Sequence, residues 1–113
     1  MNREALQKTR DLLASEVGEK YDQSVWLHLC GSPACVAGFA VAASEGVKVA
    51  VSYEESVKDR AQRFLGLTDE EADEMFGFSI YKGYGDPDWK PAREDALRML
   101  DHAIETGEVE WPQ

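Results

Sequence analysis

This sequence predicts a mostly α fold in a single domain, residues 1–113, with about five helices and one of them central and buried. Three features carry that prediction. Apolar residues recur at three- and four-residue spacing near both ends of the chain. Two Ser/Thr-x-x-Glu helix starts, Ser52 with Glu55 and Thr68 with Glu71, fall sixteen residues apart. Segment 35–43 is apolar on almost every side, as a buried helix must be. Two alternating stretches, 24–29 and 47–51, leave room for two short strands.

In chain order, Leu6, Leu13 and Val17, widened by Leu12, make a stripe over 3–17. Arg3, Glu4, Lys8, Arg10, Asp11 and Glu16 take the other positions, and Gly18 reads as a stop. In 24–29, Val25, Leu27 and Leu29 alternate with Trp26 and His28. Ser32 then suits an N-cap and Pro33 the first helical position, where its missing N–H costs nothing. A helix is expected from there to about residue 45, with Cys35 at its third position. Ala34, Gly38 and Ala42 put almost no side chain on one face of it, so a neighbouring backbone can come close. That accounts for a glycine that would otherwise cost about 1 kcal/mol in a helix.

Gly46 closes this helix, and the Ser52/Glu55 pattern opens the next, which runs to Leu65 with Gly66 beyond it. Thr68 and Glu71 open a short one over 69–76. Residues 76–90, rich in Gly, Pro, Asp and aromatics, read as an ordered loop held by Phe78, Ile80, Tyr81, Tyr84 and Trp89. Pro91 opens the last helix. Its stripe is Ala96, Leu97, Leu100, Ala103 and Ile104, and Gly107 ends it. Trp111 is placed to fold back on the core.

Composition narrows the function. The chain is 43% hydrophobic and 30% charged, ordinary for a globular protein. The apolar run 35–43 is too short to span a bilayer, and residues 1–6 lack the apolar stretch of a signal peptide. A cytoplasmic location is therefore expected, with no membrane contact and with both cysteines reduced or ligating. The net charge of −10 repels nucleic-acid phosphates. It is also uneven: 69–74 carries five carboxylates and no base, and 86–110 has eight acidic residues against three Lys or Arg. Such a surface confers solubility, and it also fits a basic protein partner.

Segment 30–39 is the clearest place for chemistry. It holds Cys30 and Cys35, with His28 just upstream. Cys35 near a helix start would have free N–H groups to stabilise a thiolate, and Cys30 could act as its resolving thiol. Against that, the spacing is C-x4-C rather than C-x-x-C, and Val36 and Phe39 point to burial, which makes a thiol inert. His28, Cys30 and Cys35 could also supply three zinc ligands, but no second paired ligand motif completes the set. His102 sits among Asp95 and Arg98 and reads as solvated. The commoner reading makes the cysteines small buried hydrophobes, with no catalytic residue and no cofactor.

Residues 52–76 have the outline of a helix-turn-helix. Its would-be recognition helix offers Asp69, Glu70, Glu71, Asp73 and Glu74 and no Lys or Arg, which outweighs any gain from base contacts. Gln62 also stands where that motif takes a small residue. Lys82-Gly83-Tyr84-Gly85 starts like an RNA-recognition strand, but Asp86-Pro87-Asp88 breaks it. Asp86 and Asp88 are too few for a calcium loop.

Cys30-Gly31-Ser32-Pro33-Ala34-Cys35-Val36-Ala37-Gly38-Phe39, and then Leu65-Gly66-Leu67-Thr68 with Glu71-Ala72 and Phe76, together resemble a group of small uncharacterised bacterial and phage proteins. Their pattern is C-G-[ST]-x-x-C-x-A-G-aromatic, then L-G-L-[ST]-x-x-E-A, then a Trp and a last helix ending in Gly. Trp89, Ile104 and Gly107-Glu108-Val109 answer to that end, so the resemblance covers about residues 26–109. It implies a shared small fold and transfers no catalytic residue. The expectation is a non-enzymatic protein-interaction or regulatory module. Its partner would be met by Glu70, Glu71 and Glu74 or by Tyr81, Tyr84 and Trp89. The alternatives are a nucleic-acid-binding regulator and a zinc or thiol site at His28, Cys30 and Cys35.

Overall fold

The computed structural model describes residues 1–22, 35–45, 57–76 and 92–111. The described residues are mostly helical, in five α-helices and one short 3-10 helix: α1 (Arg3–Ala14), the 3-10 helix (Glu16–Lys20), α2 (Val36–Glu45), α3 (Val57–Leu65), α4 (Asp69–Phe76) and α5 (Arg93–Thr106). No strand occurs among the described residues, and the stretches 24–29 and 47–51 lie outside them.

The Asn2 side chain caps α1, accepting the Ala5 N–H at 3.1 Å. Ala5, Leu6, Thr9 and Leu13 are buried, with Leu12 and Val17 packed at the margin of the core. Thr9 is a polar group inside, and its hydroxyl donates to the Ala5 carbonyl at 2.9 Å, so its burial leaves no orphan. Gly18 does not stop this helix. α1 ends at Ala14, and Gly18 is buried within the 3-10 helix that follows. A Cβ there would collide with the Leu13 carbonyl, so the bend that returns the chain against α1 has space for hydrogen alone.

α2 packs against both α1 and α3, and α1 also packs against α5. Every residue from 35 to 42 is buried, whereas Ser44 is exposed. The Cys35 carbonyl accepts the Phe39 N–H at 3.0 Å and so begins the hydrogen-bond ladder. Cys35 therefore stands at the cap of α2 rather than at its third position; Ser32 and Pro33 lie outside the described residues.

α3 ends in a Schellman motif. Gly66 takes φ +67°, its N–H donates to Arg63, and the Leu67 N–H donates to Gln62 at 3.1 Å. Thr68 then starts α4 with the expected reciprocal cap. Its N–H donates to Glu71 Oε1 at 2.9 Å, and its hydroxyl accepts the Glu71 N–H at 3.2 Å. The expected Ser52/Glu55 cap lies outside the described residues.

α5 buries Ala96, Met99, Leu100 and Ala103, while Leu97 and Ile104 are half-buried against the core. Asp95 accepts the Ala92 N–H at 3.0 Å, and this is half of a capping box because Ala92 has no side-chain oxygen to reciprocate. Gly107, at φ +78°, closes the helix by donating to Ala103 at 2.8 Å. Arg10 holds α1 to α5 through Asp101 at 3.0 Å. None of the described helices is long and apolar enough to cross a membrane.

Candidate functional site

Cys35 is the one member of the expected His28, Cys30 and Cys35 set that the described residues include, and it is 2% exposed. Its sulfur faces the N–H groups of Ala37 and Gly38 at the start of α2, an arrangement that favours the thiolate. Burial is the larger influence and pushes the thiol up to about 11. Beside it, Tyr21 is held well above the usual phenol range, first by burial and then by the neighbouring Cys35, Asp95 and Asp22. The Tyr21 ring lies 6.5 Å from that of Phe39, at 45°. At neutral pH this corner holds a neutral, buried thiol near Tyr21. Among the described residues no group of three His, Cys, Asp or Glu side chains comes together to hold a metal ion.

Two outcomes follow for Cys35. Iodoacetamide should alkylate it only on the timescale of unfolding, as followed by tandem mass spectrometry that separates Cys35 from Cys30; modification of Cys35 within minutes in folded protein would contradict its burial. The thiol also contributes to pH dependence. Its folded value lies above the ordinary value of 9.0, so the folded state keeps a proton that the unfolded state has lost. Stability should hold below pH 9 and fall as pH rises through about 11, and Cys35→Ala should remove part of that fall.

The five carboxylates of α4 do unequal work. Asp69 accepts the Gln62 amide at 2.8 Å, Asp73 pairs with Lys58 at 3.0 Å, and Glu71 holds the cap. Glu70 and Glu74 are exposed and, four residues apart, share one face. The structure thus separates the expected trio: Glu71 serves the helix, while Glu70 and Glu74 face solvent. The expected aromatic residues Tyr81, Tyr84 and Trp89 lie outside the described residues.

Gln62 carries a role that its sequence position hides. Besides Asp69, its amide reaches the Leu67 carbonyl at 3.3 Å, so one side chain ties both sides of the turn between α3 and α4. A long amide fills the place where a small residue would leave the turn unlocked. Trp111 folds back as expected, and its indole N–H donates to the Glu74 carbonyl at 2.8 Å, close to the exposed carboxylate face. His102 is less open than its neighbours in sequence imply. Its Nε2 is shut off from solvent and lies 3.4 Å from Glu110 Oε2, a carboxylate of the chain beyond α5. The sequence marks the return of Trp111 but not its partner, and nothing local signals the meeting of His102 with Glu110.

A shallow cleft of about 180 Å³ lies between α2 and α3, lined by Val41, Ser44, Arg60, Arg63 and Phe64. Both arginines already have partners. Set against protein-family models, curated proteins and solved structures, the chain gives no significant match.

Proposed function

We propose that this chain is a non-enzymatic protein-interaction or regulatory module of the bacterial or phage type, working in the cytoplasm and docking a basic protein surface on α4. The observation that supports this reading is the division of labour among the α4 carboxylates. Three are committed to holding the turn and the helix, and Glu70 and Glu74 stand exposed together. Two like charges at this spacing cost a helix a few tenths of a kcal/mol, and a partner of opposite charge offsets that. The same charges count against nucleic acid, since a phosphate backbone brought to this face meets carboxylates first. The buried thiol, neutral at pH 7, counts against a redox role for Cys35.

The test is a pull-down comparing wild type with Glu70→Lys/Glu74→Lys. Glu71 is left intact because reversing it would break the cap. Circular dichroism should show both proteins equally helical. A salt-sensitive partner retained by wild type should be lost by the variant, and an identical partner list for the two proteins would remove the proposal.

A further inference from the structure

We propose that residues 107–111 form a releasable strap: docked, it caps the last turn of α4 through Trp111, and undocked, it loosens that turn while α1, α2, α3 and α5 stay packed. The base of the strap is fixed to α5. The Thr106 hydroxyl donates to the His102 carbonyl at 2.8 Å and accepts the Glu108 N–H at 3.2 Å, and Gly107 turns the chain through its left-handed conformation. From there the strap leaves helical structure. Glu108 and Glu110 are exposed, Val109 and Trp111 half-buried against the core. Its tie to α4 is the indole bond to the Glu74 carbonyl.

That carbonyl belongs to the last turn described for α4. The bond lies at the surface, so water replaces the indole at small cost, as an interior hydrogen bond would not allow. The last turn of α4 is held by the Asp73–Lys58 pair, by the buried Met75 and Phe76, and by this bond at the surface, and the surface contact is the first of these to open. His102 Nε2 of α5 lies 3.4 Å from Glu110 Oε2, and the base of the strap is held by the Thr106 bonds, so release begins at Trp111.

Hydrogen exchange read by mass spectrometry tests this on the free protein, so the outcome does not depend on whether α4 docks a partner. In Trp111→Phe, which keeps one aromatic ring and loses the indole N–H, amides of 69–76 should exchange at least about fivefold faster, the factor that a net hydrogen bond of about 1 kcal/mol corresponds to. Trp111→Ala should exceed that. Amides of 3–14 and 36–45 should stay within about twofold of wild type in both variants. Unchanged exchange over 69–76 would overturn the strap, and so would a speed-up shared equally by every helix. If Trp111→Ala fails to fold, Trp111→Phe decides alone on the same two outcomes.

Discussion

Phe39→Ala should destabilise the protein by about 3–5 kcal/mol, the range for emptying a fully enclosed aromatic site. Phe39 is completely buried on α2, the helix that touches both α1 and α3, and its ring faces Tyr21. Its loss removes apolar burial, removes the aromatic contact, and leaves a cavity among helices that cannot collapse independently. Since small domains are stable by only about 5–15 kcal/mol, this single change should consume much of the total. Urea unfolding followed by circular dichroism should show the midpoint falling sharply with the slope unchanged. A midpoint within a few tenths of a molar of wild type would mean that α2 is not packed as described.

Gly18→Ala should cost about 3 kcal/mol, at the upper end for overpacking, although the substitution adds one methyl group. Alanine normally stabilises relative to glycine by restricting the unfolded chain. Here the sign reverses, because the added carbon meets the main-chain carbonyl of Leu13, which no rotamer change can move, and it also comes within 3.2 Å of the Arg93 side chain. Relief requires parting the 3-10 helix from α1 at the place where Tyr21 enters the core. Thermal unfolding should drop by on the order of 10 °C, whereas alanine at a glycine on an open surface would shift it little. An unchanged melting temperature would show that the 3-10 helix lies elsewhere.

These two sites show how far the sequence could be read. The helices were legible where a local rule has one solution. Gly66 after Leu65, Thr68 with Glu71, and Gly107 after Thr106 each mark a boundary that the structure keeps. Gly18 was misleading because it follows an apolar stripe as a C-cap glycine does, yet it is required by contact with Leu13 rather than by backbone conformation. Small or mixed-character core residues were also missed. Ala5 and Thr9 give no strong apolar signal, and Met99 falls beside the stripe read from Leu97 and Leu100.

The candidate site was legible by residue type and less so by role. Five acids in six residues mark α4, but only the folded neighbours show which of them are occupied. Lys58 lies fifteen residues from Asp73, and Gln62 crosses a turn to reach Asp69. His102 and Glu110 meet because the chain reverses after Gly107, and no helical periodicity contains that reversal.

The Asn2 N–H donates to the Leu65 carbonyl at 2.8 Å, which ties the first residues of the chain to the end of α3. Drawn out in time, this fixes an order of assembly. α1 has twelve residues, too few to persist alone in water, and its partners α2, α3 and α5 all follow it in the chain. Its apolar stripe must wait, exposed or loosely sheltered, until residue 65 and then α5 have emerged. Among these helices, α1 therefore comes first in the chain and settles among the last.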